Sequence, residues 1–201
     1  MMTYEALRKQ YPQFIYHGFE VTEEPGKVCI IYDFEIPGLS SFAPIWEIPC
    51  DKENLGEDEK FLHMVFSLGM VELISYWKIA CPPEVVIEPY GLTKEQIAWW
   101  KSLYFNGLGE FYYTNGIEEN EEDFMTIFAE SETFMPEGEV VVDVGGGCLV
   151  PVGGGKDSSV SLELLKAMGK DAGKNFCYII NPRGATLYTA AAAGYGEERM
   201  I

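Results

Sequence analysis

The alternation of apolar and polar residues near the start of the chain predicts a β-hairpin. Residues 13–21 and 27–36 are rich in β-branched and aromatic side chains, and Pro25-Gly26 between them marks a turn. Four apolar residues of the second run fall on one face of the predicted strand: Ile30, Tyr32, Phe34 and Ile36. That face is expected to belong to the core of the fold.

Two longer segments have the pattern of helices. Residues 58–78 are too long for a strand, lack proline and are apolar nearly all round, which predicts a buried helix ending before Cys81-Pro82-Pro83. A second helix is predicted after Thr93, because Thr93 and Gln96 have the spacing of a capping box. Apolar residues follow at helical spacing as far as Gly107. The first part of the chain is therefore predicted to be a mixed α+β region.

An acidic segment separates this region from the rest of the chain. Residues 118–139 contain nine carboxylates and no basic residue, and no Lys or Arg occurs between Lys101 and Lys156. Runs of like charge are usually solvated, so we expect a mobile connector, with a cation-binding or partner-docking role as the alternative. We place a domain boundary near residue 138, which divides the chain into residues 1–138 and 139–201.

The third part alternates between short apolar runs and helical patterns. Strands are predicted at 140–144, 149–152 and 176–180, and helices at 158–168, with Gly169 as its C-cap, and 185–193. This βαβα order is the opening of an α/β fold with a parallel sheet. A parallel sheet is rarely complete with two or three strands, so the pattern predicts an incomplete domain.

Composition and charge exclude several classes of protein. The chain has 201 residues, 47% of them hydrophobic, and a formal net charge of −18, so it can form a core but carries no basic surface for nucleic acid or membrane. Five scattered cysteines without a CxxC pair predict reduced thiols. We expect neither a signal peptide nor a membrane span, because the first residues lack an apolar stretch and no run approaches 18 uncharged apolar residues. We therefore expect a soluble cytoplasmic protein.

A glycine-rich loop between a predicted strand and a predicted helix carries the clearest chemistry. Three glycines allow several backbone N–H groups to point at one anion, and the helix N-terminus adds its dipole. Asp157 has two open roles, capping the helix or positioning a metal. A Walker A loop is excluded, because it needs glycine at Val150. The predicted phosphate-binding residues are Gly153, Gly154, Gly155, Lys156, Asp157, Ser158 and Ser159.

The loop resembles the Ser-Gly-Gly-x-Asp-Ser loop of the PP-loop ATP pyrophosphatases, with Gly153 in place of serine. Four segments in the same order are similar to the MurL family, whose own loop also begins with glycine. They are LGMVELISYWK (68–78), GLTKEQIAWW (91–100), GEFYYTN (109–115) and VPVGGGKDS (150–158). The resemblance covers the chain from about Phe14 to its last residue. Family members continue well beyond this point.

The resemblance implies a reaction and its ligands. Members of the MurL family are ATP-dependent UDP-N-acetylmuramoyl-L-alanyl-L-glutamate epimerases, so ATP, Mg²⁺ and a UDP-MurNAc dipeptide are the implied ligands. Asn181 after the last predicted strand also fits the family and is expected at the nucleotide. Arg183 lies where nucleotides bind in such sheets and is a candidate substrate contact. The alternatives are another PP-loop adenylating ligase or amidotransferase, and a nucleotide-binding fragment without catalysis.

Epimerisation needs a base and an acid, and the sequence does not identify them. Glu72, His63 and Cys81 are the candidates within the first region. Each also has an ordinary structural explanation: Glu72 facing solvent or pairing with Lys78, His63 as a hydrogen-bonded core histidine, and Cys81 as a small buried thiol.

Overall fold

The computed structural model describes residues 3–135, 146–169 and 172–201. The chain divides into two compact units, Met1–Glu137 and Gly138–Ile201, which we call the first and second units. The boundary predicted near residue 138 and the strand predicted at 140–144 lie outside the described residues. The helices are α1 (Tyr4–Gln10), α2 (Glu59–Trp77), α3 (Lys94–Gly107), α4 (Gly109–Asn115), α5 (Lys156–Ala167) and α6 (Gly184–Ala192). The strands are β1 (Gln13–Glu24), β2 (Lys27–Ile36), β3 (Ser40–Phe42), β4 (Ile45–Pro49), β5 (Glu84–Ile87), β6 (Thr126–Phe128), β7 (Leu149–Pro151) and β8 (Phe176–Tyr178).

A mixed sheet forms the centre of the first unit. Its strand order is β3-β2-β1-β5-β6, and β4 also pairs with β2. β1 and β2 are antiparallel and joined at Gly26, whose φ of 79° suits the turn, so the predicted hairpin is confirmed. β5 and β6 extend the sheet in parallel to β1. The four residues predicted to share the core face of β2 are all at most 1% exposed.

Helix α2 packs on one face of this sheet. The buried hydroxyl of Tyr32 donates to the carbonyl of Val65 at 2.9 Å, and the side chain of Tyr16 lies directly against Gly69. The predicted helix is confirmed, but it is not buried on all sides. Its apolar residues Met64 and Val71 are more than half exposed. α2 therefore presents one buried face, as a helix at a core surface does.

Over residues 118–135, the part of the acidic segment that the structure describes, the chain is not the solvated connector that its charge predicts. Phe124 and Met125 are fully buried, and β6 follows them as a strand of the central sheet. The guanidinium of Arg8 donates to the carbonyls of Phe124 at 2.8 Å and Cys81 at 2.9 Å, which joins α1 to this segment. Three or four apolar residues within a charged run are enough for a strand when a sheet edge is available to pair with them.

The second unit contains a βαβα arrangement. β7 and β8 are parallel neighbours, and α5 and α6 both contribute to the core on one face of them. Met200 forms a further parallel bridge to Cys177 of β8. The helix predicted at 158–168 begins two residues earlier, at Lys156, and Gly169 follows it with a φ of +62°.

The described residues therefore form a mixed α/β fold with one mixed sheet, one parallel pair and six α-helices. All five cysteines are free thiols. None of the helices in residues 3–135, 146–169 and 172–201 has the length and apolar character needed to cross a bilayer.

A histidine bridges two carboxylates on the side of the first unit's sheet that does not contact α2. His17 lies at an irregularity between β1 and β2, and its Nε2 and Nδ1 contact Glu35 and Glu88, each at 2.9 Å. The hydrogen bond to Glu35 is the main cause of a raised His17 pKa, which partial burial opposes and Glu88 and Asp33 reinforce. The protonated imidazole is thus favoured in the folded state.

We expect this bridge to make stability depend on pH. Because the folded-state pKa of His17 lies above the unfolded value, its contribution is complete below about pH 6.5 and is lost as pH rises through the folded-state value. The difference in urea midpoint between the parent and His17→Gln should therefore shrink as pH rises. Glu20→Gln, which removes a carboxylate of the same strand away from His17, is the control. A constant difference for His17→Gln would contradict the bridge.

Candidate functional site

The glycine-rich loop connects the carboxyl end of β7 to the start of α5. Gly154, with a φ of +77°, lies in the left-handed region that glycine adopts without a steric penalty. A Cβ built on Gly153 or on Gly155 would meet no atom within 4 Å. The loop therefore combines one glycine of positive φ with open space at the two glycines beside it, where a ligand can approach the backbone.

The N-terminus of α6 lies against the same loop. A Cβ on Gly154 would lie 3.1 Å from Thr186 Cγ2 and 3.2 Å from the Thr186 nitrogen, so the two backbones approach closely. The Thr186 hydroxyl accepts from the Arg183 N–H at 3.0 Å and donates to the Arg183 carbonyl at 2.7 Å, which holds the first turn of α6. Two helix N-termini, each with a partial positive charge, thus begin at one edge of the parallel strands.

Thr186 is the residue of this site that the sequence analysis missed. It is 6% exposed and lies three residues after Arg183, a spacing that is typical of a helix start. That spacing is a usable signal for the start of α6. The contact between Thr186 and Gly154 cannot be predicted from a local sequence pattern, because the two residues are 32 positions apart.

Lys156 and Asp157 begin α5 as exposed, oppositely charged neighbours. Lys156 Nζ lies 2.6 Å from Asp157 Oδ1, and the two side chains are 88% and 89% exposed. Asp157 does not cap the helix, as one of its two predicted roles required: the N-cap is Gly155, without a side-chain hydrogen bond. Asp157 is the second residue of the helix, two positions after the N-cap, so it does not occupy the capping position.

The two serines are engaged with the loop backbone. Ser158 Oγ and Ser159 Oγ both donate to the carbonyl of Gly155, at 3.0 and 3.1 Å. Asn181 and Arg183 are exposed and follow β8 at the same edge as the loop, and Asn181 has a φ of +50°. Asparagine tolerates this conformation better than most residues. The binding roles assigned to these four residues stay predictions.

The negative charge of the chain is concentrated in the residues of the first unit. The first unit has 25 acidic and 8 basic residues, a net charge of −17, whereas the second unit has 7 acidic and 6 basic residues, a net charge of −1. The loop thus lies in the nearly neutral unit. An anion-binding role for the loop, which would rely on backbone N–H groups and Lys156 rather than on a basic surface, stays a prediction.

The structure does not bring the three acid–base candidates together. His63 and Glu72 are both on α2, but nine residues separate them by about 13.5 Å along the axis and about half a turn around it. His63 is half-buried with its ring edge-on to Tyr90, and Glu72 accepts from the Tyr76 hydroxyl at 3.4 Å rather than pairing with Lys78. These contacts fit structural roles.

Cys81 is buried and has a left-handed backbone conformation. Its Sγ donates to the Lys78 carbonyl at 3.6 Å, and its φ is +52°. Burial raises the pKa of the Cys81 thiol to about 12, so the thiolate is scarce near neutral pH. Cys81 is thus a buried thiol in the structure, and a catalytic role for it stays a prediction.

Comparison with known proteins identifies the family. The profile described as the MurL N-terminal domain matches residues 5–198, which is nearly the whole chain. The chain belongs to the MurL family. No solved structure matches this MurL chain.

Three curated relatives have the name UDP-N-acetyl-alpha-D-muramoyl-L-alanyl-L-glutamate epimerase. The protein of Salinispora tropica is 34% identical over 96% of this chain, and that of Micromonospora sp. is 28% identical over 96%. The protein of Xanthomonas oryzae pv. oryzae is 36% identical over 52% of the chain. The matched part is 41%, 42% and 22% of these relatives' own lengths, so this MurL chain spans less than half of each.

The contrast between neighbouring glycines gives a test of the loop geometry. We expect Gly154→Ala to lower the free energy of unfolding by about 1–2 kcal/mol, because its φ is positive and the new methyl group crowds Thr186. Gly153→Ala is the matched control and should change stability little, since its Cβ has open space. Urea unfolding, monitored by hydrogen exchange of residues 146–201, measures the free energy of unfolding of both variants. Equal effects would contradict the described loop.

Proposed function

We propose that this chain supplies the ATP-binding loop of an epimerase. The enzyme converts the terminal L-glutamate of UDP-MurNAc-L-Ala-L-Glu into D-glutamate through an acyl-adenylate. The reaction is part of peptidoglycan precursor synthesis. The observation that carries the proposal is the glycine loop of residues 153–155, which lies between a parallel strand and a helix and against the N-terminus of α6. The names of the curated relatives supply the reaction.

In this proposal the loop holds the phosphates of ATP. The N–H groups of Gly153 to Gly155 and the start of α5 face the anion, and Lys156 adds a point charge that is free to move because its side chain is exposed. The Ser158 and Ser159 hydroxyls contribute once they turn from the Gly155 carbonyl. Asn181 and Arg183, at the same edge, contact the nucleotide or the substrate.

The donor set of the loop fits Mg²⁺ held mainly by phosphates. Mg²⁺ typically keeps several waters and takes one or two carboxylates together with substrate oxygens. Asp157, at the start of α5, is the carboxylate available beside the loop, and the described residues contain no group of three metal-ligating side chains. The ion would neutralise phosphate charge that Lys156 alone does not balance.

Adenylation explains why an epimerase uses ATP. A glutamate carboxylate makes its α-proton very weakly acidic, because removing that proton adds a second negative charge. When the carboxylate oxygen attacks the α-phosphorus of ATP and pyrophosphate leaves, the resulting acyl-adenylate is a better electron sink. A base then removes the α-proton, an acid returns one to the other face, and water releases AMP. The groups that act as base and acid are not assigned to residues of this chain.

The products distinguish this function from its alternatives. This chain, co-expressed with the C-terminal part of the Salinispora tropica relative, should convert ATP and UDP-MurNAc-L-Ala-L-Glu in the presence of Mg²⁺ to AMP, pyrophosphate and the D-glutamate product. ADP with phosphate would reject the PP-loop assignment. Release of AMP without a change in the configuration of glutamate would indicate another adenylating enzyme. Binding of Mg·ATP without turnover would indicate a nucleotide-binding fragment.

A further inference from the structure

The sheet of the second unit has one covered and one uncovered face. Side chains alternate along β7 and β8, and Val150 and Cys177 point into the core formed with α5 and α6. The residues between them point the other way, and Ile201 joins them because it pairs beside Tyr178. We call this the outer face; it consists of Leu149, Pro151, Phe176, Tyr178 and Ile201.

The outer face is apolar and accessible. Leu149 and Ile201 are each 60% exposed, and Phe176 is 36% exposed. None of the five residues is charged. The buried cluster to which α5 and α6 contribute includes Val150 and Cys177, which point to the opposite side of the strands, and it contains none of these five residues.

The first unit shows what a solvent-facing sheet looks like in this same chain. The outward positions of β1, β2 and β5 are mostly polar, and they include His17, Asp33, Glu35 and Glu84. The strands of the second unit, by contrast, are continuous apolar runs. Such runs occur where a parallel sheet is buried on both faces, whereas strands that face water alternate with polar residues. The composition of the outer face is therefore that of a buried surface.

We propose that the outer face is an interface for the C-terminal part of the MurL protein, the polypeptide that the relatives possess beyond their matched region. The matched profile is an N-terminal domain, and the matched part is at most 42% of the relatives' length, so each relative has a large remaining polypeptide. An apolar segment of that polypeptide covers the outer face, as helices cover both faces of parallel sheets. The proposal rests on family membership and the sheet, and not on ATP binding.

Co-purification with matched leucine variants tests the interface. This chain and the C-terminal part of the Salinispora tropica relative are co-expressed with different tags, and the complex is titrated by biolayer interferometry. Leu149→Glu, on the outer face, should weaken binding more than tenfold. Leu164→Glu, on the exposed side of α5, should change it less than twofold, because Leu164 is 57% exposed and lies away from the outer face.

Hydroxyl-radical footprinting identifies what covers the face. Oxidation of Tyr178 should fall when the complex forms, while Tyr188 on α6, which is 76% exposed, stays reactive. Absence of a complex, or equal effects of the two leucine variants, would overturn the proposal. Protection of Tyr178 in the isolated chain would also overturn it. In that case, sedimentation shows whether a second copy of the chain is the occupant.

Discussion

Replacing Lys156 with alanine is expected to weaken Mg·ATP binding about 10- to 100-fold. A hydrogen bond to a charged group contributes about 1.5–3 kcal/mol, and each 1.4 kcal/mol is a factor of about ten in affinity. Lys156 is the basic residue at the start of α5, and its side chain is 88% exposed beside the glycine loop. Isothermal titration of the chain with Mg·ATP measures the change directly.

Lys166→Ala is the matched control for this prediction. Lys166 belongs to the last turn of the same helix and also has an exposed acidic neighbour, Glu163, at 3.9 Å. It should bind Mg·ATP as the parent does. Asp157→Asn is expected to weaken binding in Mg²⁺ more than in its absence, since its proposed partner is the metal. Equal affinity of the Lys156 and Lys166 variants would show that the loop is only structural.

Replacing Gly69 with alanine is expected to give the largest loss of stability. A Cβ on Gly69 would overlap the Tyr16 hydroxyl and lie 2.7 Å from both Tyr16 Cζ and Tyr32 Cε1. All of these atoms belong to fully buried rings, so relief requires movement of the sheet or of α2. Overpacking of this kind costs about 1–3 kcal/mol, and urea unfolding of the chain measures it.

Gly107→Ala separates this overlap from the general effect of a helical glycine. Gly107 is the last residue of α3, and a Cβ there would meet no atom within 4 Å. Its replacement should be neutral or stabilising, because alanine favours the helix by about 0.5–1 kcal/mol over glycine. Adding Tyr16→Phe to Gly69→Ala should restore part of the loss, since it removes the overlapping hydroxyl. Additive effects of these two substitutions would contradict direct contact.

Elements whose determinants lie within about ten residues were predictable. The hairpin of β1 and β2 follows from two alternating runs around Pro25-Gly26, and the structure has the turn there. The capping box at Thr93 is present with both reciprocal hydrogen bonds. In each case the residues that decide the conformation are neighbours in the chain, so their pattern is visible without the fold.

The strand β6 shows where this reasoning fails. Nine carboxylates between residues 118 and 139 dominate the pattern, and the few apolar residues among them give no periodic signal. Their burial depends on β5, Trp77 and Phe105, which lie some 20 to 50 positions earlier. Pairing with β5 fixes the conformation of β6 despite the charged residues around it, because one strand needs only three or four apolar positions.

For the candidate site, the amino-acid sequence by itself determined the strand, the glycine turn, Lys156 and the helix that follows, and it indicated the MurL family. Only the tertiary structure decided that α6 begins against Gly154 and that Thr186 holds this contact. It also showed that the solvent-facing side of the first unit's sheet is mostly polar, whereas the outer face of the second unit is apolar. The physical reason is that turns and helix starts are fixed by neighbouring residues, whereas packing between elements depends on contacts between residues far apart in the chain.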